Sequence, residues 1–343
     1  MLHNNRFAVA RDSEGIWLSR ATTNREVEIR MDVDRADVTA AKERGTRALP
    51  NSRLAWLERE SSLGYVLTAP TVLILLLLIV YPFALALWLS VTNKLVGQPG
   101  TFVGLKNFAF LLDDQVFRQT VGNTLIYTGA AVALKVVLGI ALALVLKQKF
   151  PGNFLVRGLL LLPWIVPASL STLAWLWVFD SLHGVLNWAL LGLHIVKLPV
   201  NWLGDPTLAK IATIVVNIWR GTPFFGIAFL AGLQSISEEL FDAAKVDGAN
   251  AWQSFWKVTL PLLQPVLVVV TIFSIVQTLA DFQIVYVLTR GGPVNATHLF
   301  GTLAFQTAFQ TGRMGLGAAI SLFVFPALAI LVIFELRRLR EAI

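Results

Sequence analysis

Cysteine is absent from all 343 residues, which removes disulfides, thiolate metal sites and cysteine nucleophiles from consideration. Histidine is scarce, and four scattered residues offer no ligand set for a metal. Charge is thin as well: 14% of residues are charged against 56% apolar, and the mean hydropathy of +0.67 lies above that of ordinary soluble domains. No His, Asp, Glu or Ser set gathers at a common membrane face to form a catalytic group. No G-x-x-x-x-G-K-[ST] loop is present to cradle nucleotide phosphates. The formal net charge of +7 does not indicate nucleic acid, because the basic residues flank apolar runs and are not interleaved with aromatics on a polar segment.

Long apolar runs are what the chain has instead. Six occur, at residues 65–91, 121–146, 158–179, 208–230, 266–288 and 316–336. Each approaches the ~20 residues needed to cross a hydrocarbon core of ~30 Å. The sequence therefore predicts an all-α integral membrane fold of six transmembrane helices. Residues 1–60 are rich in Arg, Asp and Glu and lack both a long apolar stretch and a small-residue cleavage pattern. They read as a charged, partly disordered cytoplasmic extension and not as a signal peptide. Lys147, Lys149 and Arg157 crowd the second connection, and Arg337, Arg338 and Arg340 follow the last run. Basic residues favour the cytoplasmic side, so both termini are expected inside, and residues 94–119, 180–207 and 289–315 outside.

Several runs carry residues that lipid does not tolerate for free. Pro163 and Pro167 lie within Leu-Leu-Pro-Trp-Ile-Val-Pro, and Pro223 follows Arg220-Gly-Thr. Interior prolines remove a backbone hydrogen bond and kink a helix, so the third run is expected to kink and the fourth to break. Lys135, Arg220 and Asp281 are charges placed within spans, at a cost of at least ~2.5–3.5 kcal/mol each on insertion scales. Such groups face a bundle interior or a polar cavity, and an inter-helix pair between Arg220 and Asp281 is one arrangement that would satisfy both. Trp175, Asn217, Arg220, Gln277, Asp281 and Gln283 are candidate lining residues of a substrate pathway, chosen for polarity or stacking capacity in apolar surroundings. Trp175 and Trp177 could equally be packing, while Trp188 and Trp202 suit interfacial anchoring.

The segment from 234 to 265 has its own signals. Ser235 or Ser237 can cap a helix N-terminus, Ser235 with Glu238 fits a capping box, and Glu238 and Glu239 suit the positive end of the helix dipole. Gly248 supplies a left-handed residue to end that helix. A second short helix is expected from about Asn250 to Leu260, ended by Pro261, with Trp252, Phe255 and Trp256 on an apolar side. The unit reads as a cytoplasmic helix, turn and helix.

Here the chain resembles the permease subunits of ATP-binding-cassette (ABC) importers, in particular the carbohydrate-uptake branch. Their loop runs Glu-Ala-Ala, three residues, Gly, nine residues, Ile, one residue, Leu-Pro. This chain has Asp242-Ala243-Ala244, Gly248, Val258 and Leu260-Pro261, so Asp replaces Glu and Val replaces Ile. Leu162-Pro163-Trp164 with Pro167, the run 219–224 and the run 287–293 look like the same branch, and the likeness extends from about Gly64 onward. The resemblance implies the type I importer permease fold, with residues 61–120 holding the first transmembrane helix and an outer loop, 121–336 the transport core, and 337–343 a basic tail.

It further implies that Asp242, Ala243, Ala244, Asp247, Gly248, Leu260 and Pro261 couple to a separate ABC ATPase. ATP and Mg would be used by that partner, and no cofactor would be bound by this chain. A second permease subunit, usually a different one in this branch, an extracytoplasmic solute-binding protein and membrane lipid are the other implied partners, in a bacterial inner membrane. The solute would be a sugar or sugar derivative. Importers of other small polar solutes share the loop, and an ion-driven secondary transporter would share the kinks and buried charges.

Overall fold

A computed structural model describes residues 60–341, and helices make up most of them. Among the described residues the one β-type pairing is an isolated bridge between Thr92 and Phe102. The chain divides into two units, 1–77 and 78–343. Of the first, the helix Glu60–Leu75 is described, with Pro70 inside it and its described side chains exposed. The expectations for residues 1–59 lie outside the described residues.

The larger unit is organised around two long helices, Gln115–Lys147 and Pro206–Gln234. Asp114 starts the first by accepting from the Phe117 amide at 2.7 Å, and Asp205 starts the second by accepting from Thr207 and Leu208. The first ends where Asn153 Nδ2 and Arg157 Nη2 both donate to the Leu146 carbonyl, at 3.0 and 2.8 Å, which satisfies an orphan acceptor and brings a cation to the negative end of the dipole. Between the two helices, apolar attraction contributes little beyond what lipid offers, so close van der Waals packing must hold them. Gly139 allows it: a Cβ there would lie 2.5 Å from Phe225 Cβ. Phe225, Phe229, Leu233, Leu146 and Leu263 form the fully buried centre of this contact.

By length and apolarity, four helices can cross a membrane: Gly64–Ser90, Gln115–Lys147, Pro206–Gln234 and Ala251–Leu279. A fifth crossing is obtained if Asn153–Ile165 and Ala168–Val178, bent by 91°, count as one. The last apolar run gives a shorter apolar helix, Met314–Ile330, with a turn at Phe323. The expected six are therefore not all reached by length and composition alone.

The prolines divide in their effect. In the third run Val166 and Pro167 are extended, with ψ of 135° and 131°, because the ring of Pro167 pushes its predecessor out of the helical region. In the fourth run the expectation of a break is corrected: Pro206–Gln234 runs through Pro223 without interruption. The Thr222 hydroxyl donates to the Ile218 carbonyl at 2.7 Å, and Pro223 is buried. The break comes instead in the fifth run, where the helix stops at Leu279 and a new one, Gln283–Leu288, begins after Asp281 and Phe282.

Beyond Leu288 the chain enters a tight loop with positive φ at Arg290, Gly291, Val294 and Asn295. Asn123 Nδ2 donates to the Asn295 carbonyl at 3.0 Å and ties the loop to the Gln115–Lys147 helix. His298 is 2% exposed beneath Gly291, where any side chain would run into the imidazole ring.

Candidate functional site

The Gln115–Lys147 helix presents a buried stripe of Thr120, Asn123, Thr124, Tyr127, Thr128, Ala131 and Lys135. Residues three and four apart share a helix face, so this polar line runs along one side, toward the bundle. Opposite it stand Asn217 and Arg220 of Pro206–Gln234, and the break that carries Asp281. Together they enclose a cavity of about 340 Å³ lined by Lys135, Trp164, Asn217, Arg220, Gln277, Asp281 and Gln283, with Phe224, Phe225 and Phe273 as apolar wall.

Asp281 is held by groups from three elements. Its Oδ2 accepts from the Tyr127 hydroxyl at 2.6 Å and from Asn217 Nδ2 at 3.0 Å, and its Oδ1 faces the Ile284 amide at 3.4 Å. The helix break makes the last contact available, since an uninterrupted helix would have committed that amide to the i−4 carbonyl. Lys135, 4% exposed, donates to the Thr278 hydroxyl at 3.0 Å and lies 5.8 Å from the Phe225 ring centroid. Gly221 gives this side chain its room: a Cβ there would lie 2.5 Å from Lys135 Cδ.

Arg220 does not pair with Asp281, which corrects the expectation. Among the described residues the ion pair within 4 Å that joins a lysine or arginine to a carboxylate is Lys245–Asp242. Arg220 instead places its guanidinium 5.4 Å from the Trp164 ring centroid, and Trp164 in turn stacks on Phe224. Arg220 Nε and Asn217 Oδ1 are buried without a hydrogen-bond partner.

Of the six residues selected as pathway candidates, Asn217, Arg220, Gln277, Asp281 and Gln283 line the cavity. Trp175 does not: it packs against Phe179 and Trp219. Trp177 and Trp188 are exposed, at 63% and 78%, while Trp202 is partly buried and donates to Asn187 Oδ1. Tyr127 and Thr278 were not singled out from the sequence. The signal for Tyr127 was its place four residues after Asn123 and eight before Lys135, on a common helix face.

The elbow is the second candidate region. Ser237, and not Ser235, caps Glu238–Val246 by accepting from the Glu239 amide at 3.3 Å, while Ser235 Oγ donates back to the Gly232 carbonyl. Gly248, at φ +79°, ends that helix. Its amide donates to the Lys245 carbonyl and the Ala249 amide to the Ala244 carbonyl, the double closure of a Schellman motif. Asn250 then opens the next helix in a reciprocal capping box with Gln253, at 2.9 and 3.0 Å.

That next helix does not stop at Pro261, contrary to expectation. It runs unbroken for 29 residues, Ala251–Leu279. Residues Phe255–Thr259 take a π turn, in which the Leu260 amide donates to the Phe255 carbonyl one residue further back than in an α-helix. The widened turn provides for Pro261, which has no amide hydrogen and a bulky ring. Lys147, at the end of the Gln115–Lys147 helix, sits 4.2 Å from the Phe241 ring centroid and so braces the elbow. Asp242 holds Lys245 at 2.8 Å on an exposed face, and this hydrogen bond and charge raise the Lys245 pKa above its ordinary value.

Comparison with known proteins places these features in context. A family model described as "Binding-protein-dependent transport system inner membrane component" matches residues 135–338. The chain is 37% identical over 268 residues to the trehalose/maltose transport system permease protein MalF of Thermococcus litoralis, covering 78% of this chain and 90% of that protein. It is 34% identical over 278 residues to the sulfoquinovosyl glycerol transport system permease protein SmoG of Agrobacterium fabrum, covering 79% and 88%. A crystal structure of a bacterial ABC transporter involved in the import of the acidic polysaccharide alginate contains a chain of similar fold, with TM-score 0.71, 23% identity, and coverage of 83% of this chain and 97% of that one.

Proposed function

Since this chain belongs to the family of binding-protein-dependent transport system inner membrane components, we propose that it is one permease subunit of an ATP-driven importer that carries a sugar or sugar derivative across the cytoplasmic membrane by alternating access. It is a transport component and not itself a catalyst. The observation that carries the reading is the unbroken helix Ala251–Leu279, which joins the elbow to the break at Asp281. At 1.5 Å per residue it is about 44 Å long. A partner that displaces Asp242, Ala243, Ala244, Asp247 and Gly248 at one end thereby moves the wall of the polar cavity at the other.

In this reading the elbow, residues 234–265, faces the cytoplasm and docks on a separate ABC ATPase that uses ATP and Mg. Leu260 and Pro261 mark where the elbow joins the transmembrane rod. The core is 121–336, with 61–120 the preceding helix and outer loop and 337–343 a basic cytoplasmic tail. An external solute-binding protein delivers the sugar, and a second permease supplies the other half of the path. Asn217, Arg220, Gln277, Asp281 and Gln283 line that path on this side, and Trp175 supports its wall from behind. The names of the similar permeases, for trehalose/maltose and for sulfoquinovosyl glycerol, support the carbohydrate class.

The absence of native cysteine makes the test direct. With Asp247→Cys as the single thiol, a membrane-impermeant maleimide should react in inside-out vesicles and be blocked when the ATPase is present. Labelling from the outer face would overturn the assignment of the elbow as the coupling element.

A further inference from the structure

The cavity is unevenly satisfied. Its one carboxylate, Asp281, already takes two side-chain donors on Oδ2 and faces a backbone amide with Oδ1. Its two cations are undercommitted. Lys135 has a neutral hydroxyl as its hydrogen-bond partner, and no carboxylate among the described residues lies within 4 Å of Lys135 or Arg220. The Nε of Arg220 is buried without a partner, and its guanidinium rests near the face of Trp164. A neutral ligand would leave this surplus of one positive charge unanswered in a partly buried site, where a cation gains from a counter-charge.

We propose that the cavity selects sugars bearing an anionic group, a carboxylate or a sulfonate, held by Arg220 with Lys135 behind it. This rests on the reading of the cavity as the sugar path. A planar guanidinium offers paired donors whose spacing matches two oxygens of one acid group, an arrangement a lysine alone cannot give. Phe224 and Phe273 supply apolar cavity wall for the C–H surface of the same sugar ring. Gln277 and Gln283 supply neutral donors and acceptors for its hydroxyls. The volume of about 340 Å³ falls at the small end of ligand pockets, which fits one or two sugar rings.

Calorimetric titration of the intact transporter complex tests this with two probes: digalacturonic acid, and the same disaccharide with both carboxylates reduced to hydroxymethyl groups. The expected result is that the acid binds at least about tenfold more tightly than its reduced form, since charge-assisted bonds are roughly twice as strong as neutral ones. Arg220→Gln should abolish that difference, and an unfolding temperature in detergent equal to that of the unmodified complex reports that the variant is folded. Arg220→Lys should retain part of the difference. Equal binding of both probes to the unmodified complex would overturn the charge selection and leave the sugar path standing. A preference for the acid that survives Arg220→Gln would overturn the role given to Arg220. Failure of both probes to bind would overturn the sugar path together with the inference.

Discussion

The elbow and the cavity sit at opposite ends of one helix and are built in opposite ways. The hydrogen bonds that shape the elbow join residues no more than five apart: the Ser237 cap, the Schellman closure at Gly248, the Asn250–Gln253 box and the Asp242–Lys245 pair, with Lys147 against Phe241 as an outside brace. The cavity is held by bonds across 154, 64 and 143 residues, from Tyr127 and Asn217 to Asp281 and from Lys135 to Thr278. A locally built part keeps its shape when its surroundings move. A part assembled from separate helices changes shape when any of them shifts. An importer driven from one side needs both.

Breaking the local part should have the largest effect on transport. Gly248→Val introduces no clash, because nothing lies within 4 Å of a Cβ there, but a β-branched residue at φ +79° is strained. Uptake in reconstituted vesicles should fall more than about tenfold while membrane insertion persists. Gly248→Asn, which tolerates the left-handed region, should recover part of it. Uptake by Gly248→Val at the original rate would sink the comparison.

Next comes the long-range part. Tyr127→Phe removes one donor from a partly buried carboxylate, a loss of about 1.5 kcal/mol by analogy with other bonds to charged groups. Initial rates of uptake should drop several-fold, with the elbow still protected by the ATPase from labelling at Asp247→Cys. Gly139→Leu forces the two long helices apart at Phe225 and should destabilise the bundle by about 1–3 kcal/mol, read as a lower unfolding temperature in detergent. Asn250→Ala, which deletes only a cap, should cost about 1 kcal/mol by the same measurement.

The smallest effect concerns pH. Burial lowers the His298 pKa. A base whose folded pKa is depressed takes up its proton more readily when unfolded, so the contribution is complete above the ordinary value of about 6.5 and declines as pH falls below it. Amide exchange in residues 290–299 should accelerate below about pH 6, and His298→Gln should flatten that dependence.

The same contrast decides what could be read from the sequence. Gly248 as the helix terminator, Ser237 as a cap and the bend at Pro167 all follow from residues adjacent in the chain, and all are present. The Asn250–Gln253 box has an equally local signature, Asn-x-x-Gln. The course of the helix past Pro261 and Pro223 was not legible, because a π turn in one case and buried packing in the other decide whether a proline interrupts. Arg220 and Asp281 were recognised as charges needing company. Which company they keep depends on rotation and depth of separate helices, and that gives Asp281 a tyrosine and an amide in place of the arginine.

Order of synthesis adds a consequence for Asp281. Its two side-chain donors, Tyr127 and Asn217, are translated before it, so the carboxylate enters the bilayer after both helices that will receive it. Lys135 has the reverse history: its acceptor, Thr278, is made 143 residues later. A nascent chain halted between residues 220 and 278 would therefore hold a lysine still awaiting its hydroxyl, and assembly of the polar centre is completed by the late arrival of the Ala251–Leu279 helix.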